Sequence, residues 1–110
     1  MNTLSTHILD TTQGKPAAGV NILLERWEND EWHSVAQDQT NDDGRIAAFT
    51  ADPLLPGRYR MTADIGQWFA ATGREALYVT AQIDFQLTGA GHYHLPFLIS
   101  PFSWSTYRGS

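Results

Sequence analysis

The sequence contains no cysteine. This absence excludes disulfide bonds, thiolate metal sites and cysteine nucleophiles, and it is compatible with a reducing compartment. Basic residues are also scarce, with seven Lys and Arg against twelve Asp and Glu and a formal net charge of -5. Because phosphate binding needs clustered Lys and Arg, we expect no nucleic-acid partner.

Long apolar runs are missing as well. No stretch approaches the roughly 20 residues that a helix needs to cross a bilayer, so we expect no membrane association. Residues 1–6 carry neither a basic region nor an apolar run, which predicts no signal peptide and a cytoplasmic location. A chain of 110 residues has room for one hydrophobic core, and we expect a single domain over residues 1–110.

What the sequence does contain is a series of strand-length runs separated by turn signals, a spacing typical of an all-β sandwich or barrel. Apolar and polar residues alternate over 79–87, from Val79 onward, and over 58–63, which predicts strands with one buried face. Two further strands, over 20–27 and 32–37, are predicted to form a hairpin with its loop at Asn29-Asp30.

One segment has a helical period instead. Its apolar positions follow the i, i+3, i+4, i+7 spacing, with Ile65, Trp68, Phe69 and Thr72 on one face. This pattern predicts a short helix near 65–72 that lies over a sheet. Asp64 and Gln67 have the spacing of a capping box, and Gly73 suits a left-handed C-cap.

Two histidines and an arginine are the candidates for chemistry. His94 lies in a strand predicted over 92–99, on a face that is too apolar at Pro96 and Leu98 for a freely solvated surface. That face predicts subunit packing, and in such a partly dry crevice the pKa of a histidine can be tuned. His7 lies in another short strand, and for both histidines spacing alone favours a surface or structural role. Arg45 follows the turn over 41–44, where its guanidinium can present donors to an anion or a urea-like edge.

Metal binding is the other chemistry to consider. His92 and His94 share a strand face and could chelate zinc, but His7 and His33 belong to different segments. A structural zinc site needs about four protein ligands and a catalytic one about three, so we expect no metal and no other cofactor. We interpret Asp42-Asp43 as residues that favour a turn.

The carboxyl-terminal stretch, residues 92–110, is the most informative part of the chain. Free tails normally drift toward small polar residues and disorder. This tail stays strand-like almost to its end and closes on Tyr107-Arg108-Gly109-Ser110. We therefore expect the terminus to lie against another surface rather than free in solvent.

With this tail, the chain resembles the 5-hydroxyisourate hydrolases, the transthyretin-related family of purine catabolism. The matching stretches are Thr6-His7-Ile8-Leu9-Asp10, Gly14-Lys15-Pro16-Ala17, Thr40-Asn41-Asp42-Asp43-Gly44-Arg45, Pro56-Gly57-Arg58-Tyr59-Arg60, His92-Tyr93-His94-Leu95-Pro96 and Ser105-Thr106-Tyr107-Arg108-Gly109-Ser110. The terminal Tyr-Arg-Gly-Ser is the hallmark that separates these hydrolases from the transthyretins, which share the fold and bind thyroid hormones. The chain departs from the family pattern at 76–80, where a more usual aromatic-Tyr-Pro-Glu run is replaced.

The resemblance implies an all-β, transthyretin-like two-sheet β-sandwich with one short helix, assembled as a homotetramer. It also implies active sites in the cleft where the dimers face each other. The implied reaction is hydrolysis of the cyclic amide of 5-hydroxyisourate to 2-oxo-4-hydroxy-4-carboxy-5-ureidoimidazoline in urate degradation, with no metal or cofactor.

The family's functional residues match this chain one by one. The implied catalytic residues are His7, Arg45, His94 and Ser110, and the implied substrate-binding residues are His7, Arg45, Tyr107, Arg108 and Gly109. Either histidine could be the general base that activates water, and the sequence does not choose between them. The terminal Arg108, Gly109 and Ser110 would hold the tail and fix a histidine tautomer. The alternative function is a non-catalytic, transthyretin-like carrier of small aromatic ligands.

Overall fold

Two β-sheets and one short helix make up the computed structural model, which describes every residue from Met1 to Ser110. The elements in chain order are β1 (Asn2–Asp10), β2 (Lys15–Pro16), β3 (Asn21–Glu28), β4 (Glu31–Gln39), β5 (Arg45–Ile46), β6 (Gly57–Ala63), α1 (Ile65–Ala71), β7 (Ala81–Leu87), β8 (Gly91–His94), β9 (Phe97–Ser100) and β10 (Ser103–Thr106). The predicted all-β sandwich with one short helix is confirmed.

The first sheet is organised around β1. Its strands run in the order β10-β9-β1-β2, and β5 and β8 also pair with β1. β8 and β9 lie parallel to β1, whereas β2 and β5 lie antiparallel to it. The second sheet has the order β4-β3-β6-β7 and is antiparallel throughout.

The hydrophobic core fills the space between the sheets. On β3 and the residue before it, Val20, Ile22 and Leu24 point into the core and are fully buried. On β6 the inward residues follow the predicted alternation and are at most 2% exposed: Tyr59, Met61 and Ala63. Strand periodicity therefore assigned the buried face of β6 correctly.

The hairpin between β3 and β4 confirms the predicted loop at Asn29-Asp30. Both loop residues have positive φ, 55° for Asn29 and 61° for Asp30. Two-residue hairpin loops of type I′ require this left-handed conformation at both positions, and Asn and Asp tolerate it better than other side chains.

The predicted strand over 79–87 is wrong at its start. Val79 lies outside β7, which begins at Ala81, and its side chain is 74% exposed. Its backbone carbonyl instead accepts a hydrogen bond from the Gly66 N–H, at 2.9 Å, in the first turn of α1. The chain leaves the sheet at this point to cap the helix, which periodicity cannot reveal.

The helix itself is confirmed, but its predicted capping box is wrong. Asp64 precedes α1 and its side chain makes no cap hydrogen bond. The carbonyl of Val79 from a distant segment takes over part of that role. Gly73 has a φ of 77°, as expected for a left-handed residue after a helix. With seven residues, α1 is too short to cross a membrane.

The strand predicted over 92–99 is divided into β8 and β9 at Leu95-Pro96. Proline has no N–H to donate to a strand partner, so the ladder is interrupted there. β8 and β9 nevertheless keep the same register along β1, since Ser5 lies opposite His94 and Ile8 lies opposite Phe97.

Candidate active site

Strand β1 carries a row of polar side chains on the outer face of the first sheet. Thr3, Ser5 and His7 alternate with Leu4 and Ile8, which are at most 3% exposed and belong to the core. Since successive strand side chains point to opposite faces, the polar residues project away from the core. This outer face is the floor of the site.

Arg45 reaches this face from the turn before β5. The side-chain Oδ1 of Asn41 accepts a hydrogen bond from the Arg45 N–H at 3.0 Å, and Gly44 adopts a φ of 72°. A side chain at Gly44 would also place its Cβ 2.6 Å from the carbonyl oxygen of Ile8. The turn is therefore closely specified, and β5 sets Arg45 directly opposite His7 in the antiparallel ladder.

His94 reaches the same face from the other side of β1. The parallel pairing of β1 and β8 aligns it with Ser5. The Ser5 Oγ shares one hydrogen bond with Nδ1 of His94 at 2.8 Å and another with Nε2 of His92 at 2.9 Å. His92 Nδ1 in turn shares a hydrogen bond with the Thr3 hydroxyl at 2.7 Å.

The carboxyl-terminal tail lies against His94. The Gly109 N–H donates a hydrogen bond to the His94 carbonyl at 2.7 Å, which continues the pairing between β9 and β10. A Cβ at Gly109 would lie 2.7 Å from Cδ2 of the imidazole. Any larger residue at this position would require the ring or the tail to shift.

These elements form one open cleft of about 430 Å³. Its lining residues are Ser5, His7, Arg45, His92, His94, Tyr107, Gly109 and Ser110. All of the predicted site residues except Arg108 are in this set. The Arg108 guanidinium instead lies over the ring of Tyr93, 4.2 Å from its centroid, outside the cleft lining. Arg108 thus holds the tail to β8 through a cation–π contact.

Sequence reasoning missed Ser5 and considered His92 only as a zinc ligand. The alternation of Thr3, Ser5 and His7 is visible in the sequence and could have placed Ser5 on the face of His7. The contact with the histidines could not be read in this way, because it depends on the parallel pairing of two strands from opposite ends of the chain.

His7 and His94 both favour the neutral state. Burial and then the charge of Arg45 lower the pKa of His7, with a small opposing effect of Asp43. Burial, Arg45 and the neighbouring histidines His7 and His92 lower the pKa of His94. The imidazoles can therefore accept protons near neutral pH.

Several polar atoms in the cleft have no partner within the chain. Four other arginines are ion-paired: Arg26, Arg58, Arg60 and Arg74. Arg45 makes no such pair, and no hydrogen bond within the chain engages the His7 ring or Nε2 of His94. These groups remain available to a bound molecule.

No group of three or more His, Cys, Asp or Glu side chains is arranged to hold a metal ion. His92 and His94, considered above as zinc ligands, share the Ser5 hydroxyl. The chemistry that the cleft residues offer is proton transfer by neutral imidazoles and stabilisation of negative charge by a guanidinium.

Comparisons with known proteins agree with this geometry. Residues 4–109 match the model of the HIUase/Transthyretin family. A 5-hydroxyisourate hydrolase of Caulobacter vibrioides is 38% identical, with 100% of both chains covered.

Solved structures show the same likeness. The 5-hydroxyisourate hydrolase of Klebsiella pneumoniae is 55% identical over 100% of this chain and 94% of that one, with a TM-score of 0.91. Transthyretin from Sparus aurata is 30% identical over 96% of this chain and 95% of that one, with a TM-score of 0.90. The expected transthyretin-like fold is confirmed, and the chain belongs to the HIUase/transthyretin family.

Proposed function

We propose that this protein is a 5-hydroxyisourate hydrolase, an enzyme that opens a cyclic amide in urate degradation. The family contains both hydrolases and transthyretins, so membership alone does not choose between them. The observation that carries the proposal is the cleft, where His7, His94 and the unpaired Arg45 share one sheet face. The relatives named as hydrolases, at 55% and 38% identity, support the same function.

In the proposed reaction, water attacks the cyclic amide carbonyl and loses a proton to an imidazole. His7 or His94 is the general base, because the pKa of each is lowered and each has a ring nitrogen free of protein partners. A positioned base typically contributes about 10²–10⁴-fold in rate. The imidazole then gives this proton to the amide nitrogen of the substrate as the C–N bond of the cyclic amide breaks.

Arg45 is proposed to stabilise the oxyanion that develops on the attacked carbonyl. A guanidinium with no internal ion pair can direct its donors at this charge, and such groups cost little reorganisation during the reaction. Tyr107, which is 57% exposed, and Gly109 line the cleft and would contact the substrate. Ser110 lies beside them and would complete the catalytic set, while Arg108 holds the tail that carries these residues.

A homotetramer is part of this proposal. The cleft is open on the outer face of the first sheet, so a single chain supplies only its floor and one wall. Closed symmetry would place an equivalent face opposite it and exclude water from the substrate. We propose that the active sites lie at the interface between dimers, and sedimentation analysis of the purified protein tests whether the tetramer forms. The single domain over 1–110 and the cytoplasmic location remain predictions.

The proposed activity has a direct test. Urate oxidase acting on urate generates the unstable 5-hydroxyisourate, whose ultraviolet absorbance decays spontaneously. We expect this protein to accelerate the decay in proportion to its concentration. A decay rate unchanged by a large excess of protein would rule out the hydrolase function.

The alternative function, a carrier of small aromatic ligands, has less support from the cleft. Tyr107 is the only aromatic residue among the cleft residues apart from the histidines, and all of the others are histidine, arginine, serine or glycine. Carrier sites for aromatic ligands are lined mainly by apolar side chains. A protein without hydrolase activity that bound thyroid hormone tightly would favour the carrier.

A further inference from the structure

The hydroxyl of Ser5 lies between two imidazole rings. Its Oγ is 2.8 Å from Nδ1 of His94 and 2.9 Å from Nε2 of His92, and the Ser5 residue is 9% exposed. The chain of hydrogen bonds continues from His92 to the exposed hydroxyl of Thr3. Four side chains from two parallel strands thus form one connected row that ends in the cleft.

The hydrogen bonds of this row can be arranged in two ways, which differ in which group of each pair is the donor. The Ser5 hydroxyl has one proton, so it donates to one neutral imidazole and accepts from the other. If His94 donates from Nδ1, its Nε2 presents a lone pair to the cleft. If His92 donates to Ser5 instead, His94 carries its proton on Nε2. The direction of the row therefore decides whether His94 accepts or donates a proton in the cleft.

Charges around the ring favour the first direction. The Arg45 guanidinium lines the same cleft, and a positive charge attracts a lone pair and repels an N–H. The other titratable side chains of the cleft are the imidazoles of His7 and His92 and the phenol of Tyr107, and Ser110 also lines it. The two histidines favour the neutral state of His94, as Arg45 does.

We propose that Ser5 and His92 are positioning residues for His94, which hold the proton of the neutral ring on Nδ1 and direct the Nε2 lone pair into the cleft. This inference rests on the proposed function and deepens it, because it gives His94 the protonation pattern of a base. When Nε2 takes a proton from water, Nδ1–H of the imidazolium keeps its acceptor in Ser5. The positive charge is then stabilised from the side away from Arg45.

The first test is spectroscopic and needs no substrate. Spectra of protein with ¹⁵N-labelled histidine report which ring nitrogen of His94 carries the proton above its pKa. We expect the Nδ1–H form to dominate in the native protein and to lose its dominance in Ser5→Ala. Ser5→Thr keeps a hydroxyl and should restore it. A native His94 with its proton on Nε2 would overturn the inference, whether or not the protein hydrolyses 5-hydroxyisourate.

The second test is kinetic. In Ser5→Ala we expect kcat to fall roughly 10- to 100-fold, within the contribution of a general base, while KM changes little. Losing the acceptor for Nδ1–H destabilises the imidazolium, so the acid limb of kcat/KM should move to lower pH. Ser5→Ala with native kcat and an unmoved limb would contradict the role of Ser5.

Two further variants separate positioning from folding. Thr6 is on the core face of β1, and its hydroxyl donates a 2.6 Å hydrogen bond to the Leu95 carbonyl. Thr6→Val removes this bond and contacts no imidazole. It should leave the acid limb and the His94 tautomer unchanged. His92→Phe breaks the row at an exposed position and should weaken the Nδ1–H preference even if Ser5→Ala fails to fold. A native tautomer in His92→Phe would exclude His92 from the row.

Discussion

Three side chains with free polar atoms face one cleft: His7, Arg45 and His94. Each comes from a different strand, and β1 brings them together because it pairs with β5 on one side and β8 on the other. At the scale of single residues, the proposed chemistry depends on two imidazoles that are kept neutral beside a guanidinium. Individual substitutions can test this arrangement.

Replacing His7 or His94 by Asn should lower kcat by about 10²–10⁴-fold, because each variant loses a candidate general base. Circular dichroism and sedimentation should show an unchanged fold and assembly. His33→Asn is a matched control, since His33 lies on β4 away from the cleft and bonds the Glu28 carbonyl. Near-native turnover in either cleft variant would remove that histidine from the mechanism.

The lowered pKa values of His7 and His94 predict the pH dependence of activity. A base must be neutral to act, so kcat/KM should fall on acidification with a midpoint below 6.5, the ordinary histidine value. Arg45→Gln removes one cause of the lowering and should move this midpoint upward while it reduces the rate. The measurement is kcat/KM across the acidic and neutral range, and a midpoint at or above the ordinary value in the native enzyme would contradict the prediction.

Gly109 tests how closely the tail fits against His94. Gly109→Ala introduces a Cβ 2.7 Å from the imidazole Cδ2, so the ring or the tail must move. We expect at least a roughly tenfold loss of kcat, since misplacing a reacting group by about 1 Å can cost 10²-fold. Gly89→Ala is the matched control, because no atom lies within 4 Å of the position that its Cβ would occupy on the loop before β8. Equal activities of the two variants would show that the ring tolerates the added methyl group.

At the scale of elements, the site depends on the order of strands in the first sheet. β1 and β8 are parallel and come from opposite ends of the chain, and β10 then leads the tail back along β9 to His94. The tail is held at two points, by the backbone bond of Gly109 and by Arg108 over Tyr93. The carboxyl terminus is therefore a structural part of the cleft.

Deleting Arg108-Gly109-Ser110 should abolish activity and leave most of the stability intact. The deletion removes two cleft residues and one hydrogen bond, but no residue of the buried core. The checks are turnover and the midpoint of thermal unfolding. An active truncated protein would mean that the tail has no part in the reaction.

At the scale of the whole molecule, one buried ion pair joins the end of β1 to the segment after α1. The Asp10 carboxylate is 1% exposed and accepts a hydrogen bond from Arg74 at 2.7 Å. Burial pushes the pKa of Asp10 upward, but the bonds from Arg74 and Thr12 outweigh it and hold the pKa below its ordinary value. The ionised carboxylate is thus stabilised by folding.

This pair predicts how stability depends on pH. A lowered pKa in the folded state stabilises the protein above the unfolded pKa, about 3.9, and this stabilisation is lost as the pH falls through the folded value. Arg74→Met leaves the buried carboxylate unpaired and should lower the free energy of unfolding at neutral pH by about 3–5 kcal/mol. Urea unfolding measured from strongly acidic to neutral pH checks both effects.

The Arg58–Asp84 pair provides a control for this test. Both of its side chains are 46% exposed, and exposed pairs contribute at most about 1 kcal/mol. Arg58→Met should therefore destabilise the protein much less than Arg74→Met. If the two variants lost equal stability, the assignment of a special role to the buried pair would be wrong.

Local features of the sequence determined much of this protein by themselves. The alternation over 58–63 predicted the buried face of β6, and Asn29-Asp30 predicted the hairpin, because strand period and left-handed turn preferences are properties of adjacent residues. The helical period predicted α1 for the same reason. The resemblance in the tail also indicated which residues form the site.

Only the tertiary structure decided the contacts between distant segments. The capping of α1 by Val79, the bond between Ser5 and two histidines, and the position of Arg108 over Tyr93 all depend on which strands pair and in which register. Pairing across nearly the whole chain is chosen by the burial of the complete core, and no local pattern encodes it.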